Sequence, residues 1–132
     1  MLRYRYVDSV RPPAPFVTLS LRCTTSGIHL DNQPAIIDPA ADRTVLPGPI
    51  VRALGLIEDG HLRFQGFASE VVELPIFLVE MRLHDFPPML VRAALGEHEP
   101  YTLLGRDVLN GFRTTLDGPS QMVEIVAPET SS

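Results

Sequence analysis

The segment Ala35-Ile36-Ile37-Asp38-Pro39-Ala40-Ala41-Asp42-Arg43-Thr44-Val45-Leu46-Pro47 sets a carboxylate directly after an apolar run. An acid that ends a buried strand is partly desolvated, which makes it a candidate general acid or base. The same position also suits a turn, because an Asp between a strand and a Pro can hydrogen-bond its own backbone. On the residues alone, both readings of Asp38 stand.

Other chemistries find less support. His29, His61, His84 and His98 are dispersed, and neither His84-Asp85 nor Glu97-His98-Glu99 has a metal-ligand spacing, so these read as solvated loop residues. No Gly-x-Ser-x-Gly surrounds Ser9, Ser20, Ser26 or Ser69, and no glycine-rich phosphate loop is present. Cys23 falls on the apolar side of an alternating run and reads as a packed core thiol rather than a nucleophile. A single cysteine excludes an intrachain disulfide and any multi-cysteine metal site, and it is compatible with a reducing compartment. No cofactor or metal is expected.

A second stretch, Leu103-Leu104-Gly105-Arg106-Asp107-Val108-Leu109, echoes the first roughly 67 residues later: an apolar pair, a turn and a short helix. Spacing alone leaves a weak duplication and a chance likeness equally open.

Charge narrows the classes of partner. All 11 cationic residues are Arg, against 16 carboxylates, for a net charge of −5. That balance disfavours a nucleic-acid surface. The lack of Lys removes Schiff-base and Lys-nucleophile chemistry. The first residues, Met1-Leu2-Arg3-Tyr4-Arg5-Tyr6-Val7-Asp8, carry charges where a signal peptide needs an apolar stretch, and no uncharged run approaches about 18 residues. A soluble, cytoplasmic protein with no membrane partner is the expectation.

The elements that must position these residues are short. At 132 residues the chain suits one domain, and 45% hydrophobic with 20% charged residues suits a folded one. Thirteen prolines and nine glycines spread along the whole length predict many short strands and no long helix, hence an all-β fold. Residues 1–15 read as an N-terminal strand and a Pro-rich loop, 16–127 as the main domain and 128–132 as a flexible tail. Phe16 to Cys23 alternates as a half-buried strand, with Val17, Leu19, Leu21 and Cys23 inward. Gly27 to Gln33 reads as turn residues before the short apolar run Ala35-Ile36-Ile37. A short helix is predicted within Pro47 to Leu56 and a hairpin over Leu62 to Leu74 with Gly66 near its tip. Phe77 to Leu83 and Met89 to Ala93 alternate either side of Pro87-Pro88. Tyr101 to Gly105 leads into a short helix ending at Gly111, and strands at Arg113–Leu116 and Gln121–Val126 flank a turn at Asp117-Gly118-Pro119.

Taken together, Ile36-Ile37-Asp38 with Ala41, Asp42 and Thr44-Val45-Leu46, followed by Leu103-Leu104-Gly105-Arg106-Asp107-Val108-Leu109, resembles the retropepsin-like aspartic proteases. The family's first signature is an apolar pair, Asp-Thr/Ser-Gly-Ala and a Thr-Val-Leu-like run. Its second is Gly-Arg-Asp/Asn between apolar pairs. The likeness covers roughly residues 16 to 126, and it makes the internal echo a real one. It implies a closed acid-protease barrel with one or two short helices, one lobe per chain, and a homodimer in which Asp38 pairs with its symmetry mate. Such paired carboxylates share a proton, one activating water while the other polarises the scissile carbonyl. The resemblance further implies that Gly66, Phe67 and Ala68 form a flap over a bound peptide or protein segment. It makes Asp42 and Arg106 an internal salt bridge, and it lets the terminal strands help form the dimer interface.

The departure lies beside the acid. Where the family has Thr/Ser-Gly, this chain has Pro39-Ala40, followed by Ala41. Proline offers neither the hydroxyl nor the N–H that grip the two loops across the dimer axis, and it restricts the backbone of Asp38. Ala40 adds a methyl where glycine allows close approach. The resemblance therefore implies either a degenerate, non-catalytic domain that dimerises or binds peptide, or an active endopeptidase with an unusual loop.

Overall fold

A computed structural model describes residues 1–65 and 70–128. Ten strands and two short helices follow one another along the chain: β1 (Leu2–Arg5), β2 (Phe16–Arg22), β3 (His29–Ile37), β4 (Val45–Pro47), α1 (Gly48–Leu54), β5 (Glu58–Gln65), β6 (Val71–Arg82), β7 (Met89–Gly96), β8 (Thr102–Leu104), α2 (Arg106–Leu109), β9 (Arg113–Asp117) and β10 (Met122–Val126). The proline spacing is the local reason: no described stretch runs far enough without a breaker to make a long helix.

The main sheet runs β2-β3-β8-β4-β7-β6-β5, and an additional β2–β6 pairing closes six of its strands into a barrel, leaving β5 outside on β6. Closure uses the far end of β2, where Ser20, Leu21 and Arg22 meet Arg82, Met81 and Glu80. A register shift between Leu19 and Leu21 in the β2–β3 ladder bends the strand there. Bulges of this kind supply the sharp twist a small barrel needs. The alternation expected of β2 is present, with Val17, Leu19, Leu21 and Cys23 all in the core. Leu46, Val79, Met81 and Leu104 meet them from other walls of the barrel.

The helix expected after Pro47 is α1. Pro47 precedes its first turn, Gly55 closes it in the left-handed region at φ 64°, and Val51 and Leu54 face the core. β5 and β6 pair from Glu58↔Phe77 to Gln65↔Val71, so the hairpin begins four residues before Leu62. Its tip, with Gly66, Phe67 and Ala68, lies outside the described residues, as do residues 129–132 of the tail. One local expectation is corrected. His29 to Gln33 is not a turn but the outer half of β3, paired with β2 from Arg22↔His29 to Phe16↔Ile36. β8 joins β3 only over Ala35–Ile37. The outer half is therefore an edge, which is where a sheet accepts Asp31, Asn32 and Pro34.

A second sheet, β1-β10-β9, packs Leu2 and Tyr4 with Val123 and Ile125 against the same core. Among the described residues, no helix is long and apolar enough to cross a membrane.

Candidate active-site loop

Asp38 owes its place to two parallel strands. β3 and β8 lie side by side with Ile36 opposite Leu103 and Ile37 opposite Leu104, so Asp38 and Gly105 leave the sheet together. The echo in the sequence is thus a contact in space. The Asp38 N–H donates to the Leu104 carbonyl at 3.0 Å, which continues the ladder one residue past the strand. Beyond that point the chain turns: the Ala41 N–H donates to the Asp38 carbonyl at 3.1 Å, and the Ala40 N–H donates to Asp38 Oδ1 at 3.2 Å. Pro39 has no N–H to give, so Ala40 supplies the one loop amide on the carboxylate. Asp38 is half-buried, while Pro39 and Ala40 are exposed.

Arg106 holds this loop from the second motif. Its Nη1 donates to the Pro39 carbonyl at 2.7 Å and to the Ala40 carbonyl at 3.2 Å, and its backbone N–H donates to the Ala41 carbonyl at 2.9 Å. One residue therefore satisfies three successive carbonyls. The expected ion pair between Asp42 and Arg106 is not formed; Asp42 is exposed, and the guanidinium is taken up by the loop carbonyls.

The link between the motifs that sequence reasoning missed is Thr44 with Asp107. Thr44 Oγ1 donates to Asp107 Oδ1 at 2.8 Å, the Thr44 N–H reaches both carboxylate oxygens at 3.0 Å, and the Gly105 N–H donates back to Thr44 Oγ1 at 3.2 Å. Asp107 Oδ1 also accepts the Val108 N–H at 2.9 Å, within the first turn of α2. Thr44 is fully buried. A buried polar residue amid Val45 and Leu46 was the available signal, since such a hydroxyl must find partners. Gly105 is required by contact: a Cβ there would lie 2.5 Å from the Arg43 carbonyl carbon and 2.9 Å from the Thr44 nitrogen.

The remaining candidates lie apart from this loop in the chain and are differently placed. Cys23 is buried at the end of β2, with Thr25 Oγ1 at 3.2 Å. Hydrogen bonds from Ser26 and then Thr25 lower its thiol to about 6, with burial working against them. His29, His61 and His84 sit on the surface against Asp31, Glu58 and Asp85 respectively. Among the described residues, no three His, Cys, Asp or Glu side chains converge on a point that could hold a metal ion. The flap residues Gly66, Phe67 and Ala68 lie outside the described residues, and their stems bring Phe64 opposite Val72 and Leu62 opposite Leu74.

No family model and no curated protein matches this sequence. Solved structures do resemble it. A retropepsin-like aspartic protease from Rickettsia conorii superposes with a TM-score of 0.60 at 10% identity, covering 92% of this chain and 86% of that one. The EIAV protease in complex with the inhibitor HBY-793 gives 0.55 at 19% identity over 76% and 88%. The retroviral protease-like domain of Ddi1 from Leishmania major gives 0.50 at 15% identity over 85% and 87%. With its closed barrel and two short helices, this chain has the fold of the retropepsin-like aspartic proteases.

Proposed function

We propose that this chain is a retropepsin-like aspartic peptidase domain that works as a cytoplasmic homodimer and holds a peptide or protein segment rather than hydrolysing it efficiently. The observation that carries this reading is the composition of the loop around Asp38. The acid stands at the end of β3 beside Gly105, but the residue after it is Pro39, which offers neither a hydroxyl nor an N–H. One chain brings one such acid to the loop, so a dyad needs a second copy. In that pair, two carboxylates must be held close enough to share one proton while a water lies between them and the substrate carbonyl. A loop gripped only through Ala40 and Arg106 lacks the cross-axis hydroxyl that would fix the distance. The flap residues Gly66, Phe67 and Ala68 complete the groove in this reading, and no metal or cofactor takes part.

A second reading, an active endopeptidase working through Asp38 and its mate, draws on a specific feature: Asp38 is half-exposed and its loop is braced at three carbonyls by Arg106. A diverse peptide mixture separates the two. The purified protein is incubated with it from about pH 3 to pH 7 beside an Asp38→Asn control, and both the cuts and the peptides retained on immobilised protein are read by mass spectrometry. Retention without cleavage supports the binding domain. Cuts that vanish in the control establish the endopeptidase, and neither retention nor cleavage overturns both.

A further inference from the structure

The strand register fixes which face of the sheet carries Asp38. Ile36 pairs with Leu103, and Leu103 pairs with Val45, so these three side chains form one row across β3, β8 and β4. Their chain neighbours Ile37, Leu104 and Leu46 lie in the core, which puts the row on the opposite face. All three members of the row are only half-buried. Asp38 stands two residues beyond Ile36 and shares that face. On the other flank burial alternates, with Arg43 half-buried, Thr44 buried, Val45 half-buried and Leu46 buried, so Arg43 shares it too. Gly105 lies between the two, leaving β8 beside Asp38, and a Cβ there would sit 2.5 Å from the Arg43 carbonyl carbon. A carboxylate and a guanidinium thus flank a position without a side chain, at the end of an apolar row.

Arg43 makes no ion pair among the described residues, neither with Asp38 nor with the adjacent Asp42. Arg106, the other arginine at this loop, has its guanidinium on the Pro39 and Ala40 carbonyls. Arg43 is therefore the cation left to meet an incoming anion. We propose that Arg43 is a specificity residue of the peptide groove, selecting a held segment that carries Asp or Glu near an apolar residue. This role rests on the peptide-holding reading of the Asp38 loop and names the kind of segment held. The apolar residue covers Ile36, Leu103 and Val45, while the acid meets the planar fork of Arg43, which matches a carboxylate bidentately. β3 and β4 are two strand spacings apart, about 9.6 Å, and an extended segment advances about 3.3 Å per residue. The acid accordingly falls two or three residues from the bond held over Asp38. A second copy about a two-fold axis repeats Arg43, so acids are selected on both sides of that bond.

Retention of a diverse peptide mixture on immobilised protein at about pH 7, read by mass spectrometry, tests it. Peptides kept by the wild type should be enriched about tenfold in Asp or Glu over Asn or Gln two or three residues from the held bond, the scale of one charge-assisted contact. The enrichment should shrink in about 1 M salt. Arg43→Gln should lose the preference, and Arg43→Glu should reverse it toward Lys and Arg. A reversed preference also shows that the variant is folded. If peptides are cut rather than kept, the same preference is read beside the cut sites. Wild-type retention or cleavage without acidic enrichment, or an enrichment that survives in Arg43→Gln, overturns the role of Arg43 and leaves the Asp38 groove standing. Neither retention nor cleavage overturns the groove and the role together.

Discussion

Thr44 and Asp107 tie the two motifs of this chain together: the hydroxyl donates to the carboxylate at 2.8 Å and the Thr44 N–H reaches both of its oxygens at 3.0 Å. Thr44 is fully buried, and Asp107 reaches it from the surface. Asp107→Ala removes the acceptor of both the Thr44 hydroxyl and the Thr44 amide, so it should cost about 1–3 kcal/mol. Asp107→Asn keeps an acceptor and should recover part of that. Urea denaturation of the three proteins checks the order; an Asp107→Ala form as stable as wild type would show that the link contributes nothing.

Asp42 and Arg106 should behave as unrelated residues. Asp42 is exposed and makes no ion pair among the described residues, so Asp42→Ala should move stability by no more than about 0.5 kcal/mol. Arg106→Ala removes two bonds to the Pro39 and Ala40 carbonyls and should cost about 1 kcal/mol. It should also speed hydrogen exchange at the Ala40 amide, whose acceptor is Asp38. Equal losses in the two variants, and none further in the double variant, would instead restore the ion pair.

How much of this was legible depends on how local each feature is. The alternation of β2 and the Pro47 and Gly55 boundaries of α1 are written in neighbouring residues, and the structure follows them. Asp38 stands out in the sequence as an acid after two isoleucines, and the structure places it directly after β3. The outer half of β3 was not, since Asp31, Asn32 and Pro34 disfavour a strand and only the ladder from distant β2 overrides them. The Asp42–Arg106 expectation failed for a related reason: spacing brings Arg106 to the loop but cannot say whether a carboxylate or a carbonyl meets it. Thr44 and Asp107 are 63 residues apart, and only the parallel pairing of β3 with β8 brings their segments together.

Gly105 should tolerate no side chain. Its backbone is extended at φ −90°, so the objection is contact, not conformation. A methyl would lie 2.5 Å from the Arg43 carbonyl carbon, and neither partner is a flexible side-chain end. Gly105→Ala should therefore cost about 1–3 kcal/mol or more through displacement of the 43–44 backbone. Because that backbone leads from the Asp38 loop to Thr44, the amide resonances of Ala40 and Ala41 should shift as well. An unchanged melting temperature would contradict the close packing.

Cys23 should resist alkylation while the protein is folded. Its thiol, lowered to about 6, is largely ionised at pH 8, which favours reaction. Burial opposes this, since Cys23 is only 3% exposed. Iodoacetamide at pH 8 should react about a hundredfold more slowly with native than with denatured protein, corresponding to a local opening of about 3 kcal/mol. Equal rates would place the thiol at an open surface.

Restoring the loop is the sharpest test of why the chain should be a poor protease. Pro39→Thr returns a hydroxyl and an N–H next to Asp38, and Ala40→Gly removes the methyl while keeping the N–H that now donates to Oδ1. Arg106 still meets the carbonyls of positions 39 and 40, because those bonds involve no side chain of the replaced residues. The brace therefore survives and only the grip is added. The double variant should cleave peptides on the acid side of neutrality at least about 10²-fold faster than its own Asp38→Asn derivative, the scale at which a positioned acid–base group acts. Wild-type protein should show little of that difference. A double variant that is folded and dimeric yet inert would move the defect away from Pro39-Ala40 to the rest of the groove.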